Sequence, residues 1–161
     1  MSSQYCLIKS ARLEIVPRGQ LHLEPFLSRR TLRILIADDD EGCRQCVAAL
    51  LSEEGHDIHT ASGGLEALRE AQRLRGEAKR LDLTILDCEM PDFTGTDVFR
   101  RLVVELPGLE AVFMTGSPSK SLEEEVRLAG GNELLRKPLD LHRMRRAVRR
   151  TGAGGGFVGV F

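Results

Sequence analysis

Five short apolar segments, each followed by a stretch of helical periodicity, constrain the fold of this chain more than any other feature. The segments are residues 33–37, 57–61, 83–87, 110–114 and 133–136. A short apolar run between turn residues is typical of a buried strand, and burial on both faces is typical of a parallel sheet. Because strands and helices alternate strictly, the sequence predicts a parallel sheet with helices on both faces.

Amphipathic helices are predicted at residues 41–54, about 65–80, 97–106, about 119–129 and about 140–150. The predicted inward faces contain Cys43, Cys46, Val47, Leu50 and Leu51 in the first helix and Leu65, Leu68 and Leu74 in the second. Five such strand–helix units predict the α/β class and a flavodoxin-like, doubly wound sheet. The expected strand order is 2-1-3-4-5, with five helices around it.

The same pattern divides the chain into three parts. Residues 32–150 form the predicted domain, and a chain of 161 residues has room for one such domain with a full core. Residues 1–31 form an N-terminal extension that fits either two weak strands around a turn at Pro17 or a disordered leader. Residues 151–161 are rich in glycine and are predicted to be a flexible tail.

Composition excludes several classes of function. The net charge is −1, so no overall field attracts nucleic acid or a membrane surface, and we expect neither partner. No segment approaches the roughly 18 apolar residues of a membrane span. Cys43 and Cys46 form a C-x-x-C pair, a spacing found in redox and zinc sites, but no second pair follows and core packing is favoured. The lack of a disulfide framework favours the cytoplasm.

Chemically useful side chains follow four of the five predicted strands. They are Asp38 and Asp39 after the first strand, Asp87 at the end of the third, Thr115 after the fourth and Lys137 after the fifth. Because the carboxyl ends of parallel strands meet at one edge of a sheet, these side chains are predicted to lie together. Three neighbouring carboxylates repel one another unless a cation joins them, and Mg²⁺ is the hard, oxygen-bound ion predicted here.

A divalent ion, an ammonium and a hydroxyl together suit a phosphoryl group. Asp87 is then the predicted nucleophile, and its product is an aspartyl phosphate. An alternative enzyme class is a Mg²⁺-dependent phosphohydrolase that also uses an aspartyl phosphate. That class needs a second aspartate two residues after the nucleophile, where this chain has Glu89. The residues therefore favour a phosphoacceptor protein over a hydrolase.

Four motifs together resemble the receiver domains of two-component response regulators. They are Ile-Leu-Ile-Ala-Asp-Asp-Asp at 34–40, Ile-Leu-Asp-x-x-Met-Pro-x-x-x-Gly at 85–95, Val-Phe-Met-Thr-Gly at 112–116 and Arg-Lys-Pro-Leu at 136–139. The resemblance implies transfer of a phosphoryl group to Asp87 from the phosphohistidine of a histidine kinase or a histidine phosphotransfer protein. It also implies a signalling protein that catalyses only its own phosphorylation and dephosphorylation, rather than an enzyme with other substrates.

The resemblance assigns a role to each residue of the predicted site. The implied Mg²⁺ ligands are Asp38, Asp39, Asp87 and the backbone carbonyl of Glu89, while Thr115 is the implied switch residue and Lys137 the implied partner of the phosphoryl group. The Lys137–Pro138 peptide bond is expected to be cis. No output module follows in this sequence, so we expect a stand-alone regulator that acts by binding a downstream protein partner.

Departures from the family pattern leave alternatives open. The family's switch aromatic stands three residues before the lysine, where this chain has Leu134. Leu134 allows a second hypothesis, a phosphorylation-independent interaction module, although the five intact site residues favour the phosphorylatable switch. Glu89 is expected to alter the lifetime of the phosphoryl group. The last helix holds five arginines, which is typical of a solvated helix face and less often of a partner surface.

Overall fold

The structure is a computed structural model that describes residues 30–151 and 157–159. The predicted extension at residues 1–31 lies almost wholly outside the described residues, and so does most of the predicted tail. The elements are β1 (Arg33–Ala37), α1 (Glu41–Glu53), β2 (Asp57–Ala61), α2 (Gly64–Gly76), β3 (Leu83–Asp87), α3 (Gly95–Glu105), β4 (Glu110–Thr115), α4 (Lys120–Ala129), β5 (Glu133–Arg136) and α5 (Leu141–Arg150).

The five strands form one parallel sheet in the order β2-β1-β3-β4-β5. This confirms the predicted flavodoxin-like α/β fold, with five strands, five helices and the expected strand order. The register places Ala37 beside Leu86, Asp87 beside Met114, and Thr115 beside Arg136. The carboxyl ends of β1, β3, β4 and β5 therefore meet at one edge of the sheet.

Two helix boundaries differ from the predicted ones for local reasons. α3 begins at Gly95 because the hydroxyl of Thr94 accepts a hydrogen bond from the N–H of Asp97 and so caps the helix. α2 ends at Gly76, well before the predicted end near residue 80. The chain leaves the helix there, since Ala78 has a positive φ of 55°, which no right-handed helix accommodates.

The core consists of two apolar layers, one on each face of the sheet. Leu35, Leu86 and Phe113 belong to one layer and Ile36 and Ile85 to the other, as expected for strands whose successive side chains point to opposite faces. All five residues of β3 are buried, so this strand is central to both layers. None of the helices in the described part of the chain is both long and apolar enough to cross a membrane.

Two predicted inward positions were wrong. Cys46 is exposed and Cys43 only half-buried, because the fully inward stripe of α1 consists of Val47, Leu50 and Leu51. Leu65 is 44% exposed, because the inward stripe of α2 runs through smaller side chains with a spacing of three and four residues. These buried residues of α2 are Gly64, Ala67, Ala71 and Leu74. The predicted inward stripe therefore included one exposed position in each helix, Cys46 in α1 and Leu65 in α2.

The predicted flexible tail contains an ordered contact. Val158 forms a parallel bridge with Glu133 at the outer edge of β5, and Phe157 packs half-buried against the core layer that contains Leu134. Phe157–Gly159 thus lies along the outer edge of β5, where the backbone groups of an edge strand hold it. The flexibility of the tail stays a prediction.

Candidate functional site

The carboxyl edge of the sheet brings the three predicted metal-binding aspartates together. Asp38 and Asp39 follow β1, and Asp87 ends the neighbouring strand β3. One carboxylate oxygen of each lies within 4.8 Å of the others. Asp38 is fully buried and Asp87 nearly so, whereas Asp39 is exposed. The result is a group of three acids at the sheet edge with one member in contact with solvent.

The acids that follow β1 have different local roles. Asp40 is the N-cap of α1, and its Oδ1 accepts the N–H of Cys43 at 2.9 Å. This backbone hydrogen bond holds the pKa of the Asp40 carboxyl below its usual value. Asp38 Oδ1 in turn accepts the N–H of Asp40 at 2.9 Å. One oxygen of Asp38 therefore fixes the turn, and its Oδ2 lies beside the ammonium of Lys137.

Lys137 reaches across the sheet edge to two of these acids. Its Nζ lies 2.8 Å from Asp87 Oδ2 and 2.8 Å from Asp38 Oδ2. Burial by itself lowers the pKa of the Lys137 ammonium, but its contacts with Asp38 and Asp87 outweigh burial and raise that pKa. Burial raises the pKa of the Asp87 carboxyl, and the hydrogen bond from Lys137 opposes this. A protonated lysine thus bridges two carboxylates.

Backbone hydrogen bonds orient the remaining polar groups of the site. Oδ1 of Asp87 accepts the N–H of Glu89 at 3.3 Å. The fully buried hydroxyl of Thr115 accepts the N–H of Ser117 at 3.0 Å, and the Thr115 carbonyl accepts the N–H of Lys137 at 2.8 Å. Since a hydroxyl has one donor as well as its acceptor sites, Thr115 can still donate a hydrogen bond. The Lys137–Pro138 peptide bond is cis, which confirms that prediction.

A close approach of α3 to β3 shapes the loop after Asp87. A Cβ atom at Gly95 would lie 2.4 Å from the carbonyl oxygen of Asp87, a separation that real Cβ atoms do not show. Only glycine permits this approach without a shift of the backbone. Gly95 therefore sets the position of the α3 N-terminus relative to the acidic group.

The acidic group fits a divalent cation. Its three carboxylates and the single ammonium of Lys137 leave a net charge of −2. Oδ2 of Asp38 is fully buried and lies near Lys137 Nζ but has no partner in hydrogen-bond geometry. A buried oxygen without a hydrogen bond is costly, and a hard cation with oxygen ligands removes that cost. The donor set of Asp38, Asp39 and Asp87 matches Mg²⁺ in its chemistry.

Comparison with known protein families agrees with this geometry. A family model described as the response regulator receiver domain matches residues 34–149, which include every residue of the acidic group and Lys137. The chain belongs to this family. The receiver domain therefore occupies most of the chain, and its place is in two-component phosphorelay signalling.

Several relatives of this receiver domain are known. The probable transcriptional regulatory protein TcrX of Mycobacterium tuberculosis is 32% identical over 74% of this chain, which spans only 50% of TcrX. Sporulation initiation phosphotransferase F of Bacillus subtilis is 28% identical over 73% of this chain and 91% of its own length. The chemotaxis protein CheY4 of Vibrio cholerae has a similar structure, with a TM-score of 0.68 and 26% identity over 75% of this chain and 98% of its own.

Some contacts around the site of the receiver domain have no local sequence signal. The Arg44 guanidinium donates a hydrogen bond to the backbone carbonyl of Asp38 at 2.6 Å. The carboxylate of Asp92 accepts the N–H groups of Gly64 and Leu65 at 2.9 and 2.7 Å, so it caps α2 from the loop after β3. The only hint in the sequence is Gly63 at the start of α2, which has no side chain to cap the helix.

The more buried member of the C-x-x-C pair, Cys43, is a neutral thiol. Burial, with a further contribution from Asp38, raises the pKa of the Cys43 thiol to about 12. A neutral thiol is a poor metal ligand and a poor nucleophile. Cys46 is exposed, and Cys43, Cys46 and Cys88 are all free cysteines.

Leu134, the predicted switch position, is fully buried. Its side chain lies in the core layer that contains Phe113 and Val126. A hydrogen bond also connects α3 with α4 near the site: the hydroxyl of Thr96 in α3 donates to Oε1 of Glu125 in α4 at 2.5 Å. Movement of Leu134 between buried and exposed rotamers stays a prediction.

Proposed function

We propose that Asp87 accepts a phosphoryl group from the phosphohistidine of a histidine kinase or a histidine phosphotransfer protein. The modified domain then changes its binding of a downstream protein partner. The main support is the ammonium of Lys137, which lies 2.8 Å from both Asp87 and Asp38 at a buried sheet edge. This contact orients the acceptor carboxylate and provides a fixed positive charge for the incoming phosphoryl oxygens.

In the proposed transfer, a carboxylate oxygen of Asp87 attacks the phosphorus atom of the donor. A P–O bond forms while the P–N bond to the donor imidazole breaks, and the imidazole leaves with the bonding electron pair and takes a proton from solvent. Asp38, Asp39, Asp87 and the backbone carbonyl of Glu89 would hold Mg²⁺, which would act as a Lewis acid and offset the charge of the phosphoryl oxygens.

Lys137 and Thr115 stabilise the product in this proposal. Because Lys137 is held by Asp38 as well as by Asp87, it stays at the site when the charge of Asp87 moves to the phosphoryl group. The buried hydroxyl of Thr115 donates to a phosphoryl oxygen, and its rearrangement signals the modified state towards Leu134 on β5. We place this function in the cytoplasm, where the free thiols of Cys43, Cys46 and Cys88 suit a reducing environment.

The test is incubation of the protein with Mg²⁺ and acetyl phosphate, followed by intact-mass spectrometry. We expect a single labile phosphoryl adduct that forms with Mg²⁺, is absent with a chelator, and is absent in Asp87→Asn. Asp97→Asn is the matched control, since Asp97 is a half-exposed carboxylate of α3 outside the acidic group. It should form the adduct at the wild-type rate.

The alternative of a phosphorylation-independent interaction module makes the opposite prediction. Such a module would form no adduct with Mg²⁺ present, and Asp87→Asn would bind partners as the wild type does. The intact group of Asp38, Asp39, Asp87, Thr115 and Lys137 favours the phosphorylatable switch. An adduct that persists in Asp87→Asn would place the acceptor elsewhere and refute the proposal.

A further inference from the structure

A chain of hydrogen bonds connects the end of the loop after Asp87 with helix α4. We call residues 88–94, between β3 and α3, the acceptor loop. The hydroxyl oxygens of Thr94 and Thr96 lie 3.0 Å apart, and the hydroxyl of Thr96 donates to Oε1 of Glu125 at 2.5 Å. The acceptor loop is therefore joined to α4 through two hydroxyls and one carboxylate.

The direction of each hydrogen bond in this chain is fixed. A carboxylate only accepts hydrogen bonds, so the single proton of the Thr96 hydroxyl points to Glu125. The Thr94 hydroxyl must then donate to the oxygen of Thr96, while its own oxygen accepts the N–H of Asp97 at 3.2 Å. Hydrogen bonds to a charged acceptor are stronger than neutral ones, and linked bonds strengthen one another. The carboxylate of Glu125 thus holds both hydroxyls in one arrangement.

Packing of α3 against α4 does not depend on this chain alone. Phe99 of α3 and Val126 of α4 are both buried in the same core layer, so apolar contacts also join the two helices. Glu125 is half-buried and accepts from Thr96, whereas the neighbouring Glu124 is exposed and pairs with an arginine of its own helix. A half-buried carboxylate loses part of its hydration, and the Thr96 hydroxyl replaces some of the lost donors.

Glu125 also brings a third acid close to the first residue of the acceptor loop. Burial, and after it the charges of Asp87, Glu125 and Glu89, raise the pKa of the Cys88 thiol to about 12. Since like charges repel one another, a further acid at this place has a cost, and the hydrogen bond from Thr96 offsets it. Glu125 therefore lies near the start of the acceptor loop and is bonded to its end.

The acceptor loop is held at its start as well. The N–H of Cys88 donates to the carbonyl of Met114 at 2.8 Å, and the N–H of Gly95 donates to the carbonyl of Cys88 at 3.4 Å. Between the two ends lies Glu89, whose N–H donates to Oδ1 of Asp87 at 3.3 Å. The backbone carbonyl of Glu89 belongs to the proposed Mg²⁺ ligands, so the path of the loop sets where this ligand lies.

We propose that Glu125 is a positioning residue for the acceptor loop, which it holds through Thr96 and Thr94. With the end of the loop fixed, the Asp87 carboxylate and the Glu89 carbonyl keep the separation that one metal ion needs. Glu125 acts only through the loop and has no part in the chemical step. The effect of Glu125 on phosphoryl transfer rests on the proposed function, whereas its effects on Mg²⁺ binding and on backbone exchange do not.

The experiment compares the wild type with Glu125→Ala, which removes the acceptor of the Thr96 hydroxyl. We expect the adduct with Mg²⁺ and acetyl phosphate to form about tenfold more slowly, because the acceptor carboxylate is less well placed. In the unmodified protein, Mg²⁺ should bind severalfold more weakly by calorimetric titration. Hydrogen exchange of the Glu89 and Gly95 amides, followed by NMR, should become faster.

Glu125→Gln separates the hydrogen bond from the charge. The glutamine side chain keeps an oxygen that accepts the Thr96 hydroxyl but has no charge, so the rate and the Mg²⁺ affinity should stay within about twofold of the wild type. Glu124→Ala is the matched control, because it removes a carboxylate one residue away that pairs with Arg127 at the surface. It should behave as the wild type does.

Thr96→Val tests the chain from its other side. It removes the hydroxyl with little change of shape, so it should slow adduct formation about as much as Glu125→Ala does. The double variant should be no slower than either single variant, because both substitutions break the same hydrogen bond. Circular dichroism and urea unfolding verify that each variant is folded.

Several results would overturn the inference. If Glu125→Ala formed the adduct at the wild-type rate, the inference would fail while the proposed function stands. It would also fail if Glu125→Gln were as slow as Glu125→Ala, or if the losses multiplied in the double variant. If the wild type forms no adduct, the proposed function fails, and Mg²⁺ binding and amide exchange decide the inference: weaker binding with faster exchange in Glu125→Ala supports it, and unchanged values refute it.

Discussion

Both charged clusters of this receiver domain are built around buried carboxylates, but they differ in how closely the opposite charges meet. At the acidic site, one ammonium lies 2.8 Å from each of two carboxylates, and the cluster keeps an excess of negative charge. A second cluster lines a pocket of about 470 Å³ formed by Glu133, Arg143, Arg146, Arg150 and Val158, and we call it the arginine pocket. There the guanidinium groups of Arg143 and Arg150 lie 3.8 and 4.0 Å from Glu133. The acidic site therefore suits a small cation at fixed geometry, whereas the charges of the arginine pocket meet less closely.

The difference follows from which element supplies the charges. Lys137 follows directly from β5, and its backbone N–H is bonded to Thr115, so the sheet fixes where its side chain starts. The arginines of the pocket come from α5, where Arg146 and Arg150 are exposed and Arg143 is half-buried. Five variants test this contrast, and the expected effects decrease in the order given.

Lys137→Met should have the largest effect. It leaves Asp38 and Asp87 buried without their counter-charge, and breaking a buried pair in this way costs about 3 kcal/mol or more. Saturating Mg²⁺ should recover part of the loss, because the cation replaces the missing positive charge. Urea unfolding with and without Mg²⁺ measures both. Lys120→Met, at an exposed position of α4, is the control and should change little. A loss that Mg²⁺ does not reduce would contradict the tight cation site.

Gly95→Ala should come next. The added Cβ would meet the carbonyl of Asp87 at 2.4 Å and push α3 away from β3, at a cost of about 1–3 kcal/mol. The rate of adduct formation with acetyl phosphate should also fall, because the acceptor loop shifts. Gly76→Ala is the matched control: no atom lies within 4 Å of its added Cβ, so it should be neutral or slightly stabilising. Wild-type stability in Gly95→Ala would contradict the close approach.

Arg150→Gln should change stability by less than about 1 kcal/mol, because Arg150 is 44% exposed and 4.0 Å from Glu133. Urea unfolding of Arg150→Gln and of Lys137→Met, measured under the same conditions, compares the two losses of stability directly. A loss as large as that of Lys137→Met would mean that the arginine pocket is as tightly paired as the acidic site.

The smallest effects concern pH, and two carboxyls should respond in opposite directions. Backbone hydrogen bonds from Leu65 and Gly64 lower the pKa of Asp92. Its stabilisation is therefore present above the unfolded pKa of about 3.9 and lost as the pH falls through the folded value. Burial raises the pKa of Glu133, although nearby arginines oppose this. Its contribution is present below the unfolded pKa of about 4.3 and lost as the pH rises through the folded value.

Unfolding free energies of Asp92→Asn and Glu133→Gln between about pH 3 and pH 7 measure these slopes. Relative to the wild type, Asp92→Asn should lose stability as the pH rises, and Glu133→Gln should gain it. If the stability of both variants changed with pH in the same way, the prediction would be wrong. The arginines would then stabilise charged Glu133 as effectively as the backbone hydrogen bonds stabilise charged Asp92.

Much of the fold follows from local pattern. The five strands were predicted within one residue because short apolar runs end at charged or turn residues, as at Asp38 and Lys137. Helix ends were less predictable where a cap or a positive φ decides them, as at Thr94 and Ala78. The prediction that Cys46 and Leu65 face inward was wrong, because apolar character alone does not distinguish a core position from a position next to it on the helix surface.

The acidic site, like the fold, could be predicted from the sequence only in part. That Asp38, Asp39 and Asp87 meet could be predicted, since parallel strands align their carboxyl ends. The bridge from Lys137 to both Asp38 and Asp87 depends on side-chain directions that no spacing encodes. The cap that Asp92 provides for α2 comes from another loop, and it could not be read from the residues around Gly63.

By itself, the sequence determined the alternation of strands and helices, because that depends on periodicity, and the acids at the sheet edge, because parallel strands align their carboxyl ends. Its four motifs carried the resemblance to the receiver family. Only the tertiary structure decided which charges lie close enough to bind and which stay apart. It also decided that Val158 lies beside β5, within a glycine-rich stretch that has no strand pattern. The physical reason is that an edge strand accepts any backbone brought within reach, whatever the local sequence of that segment.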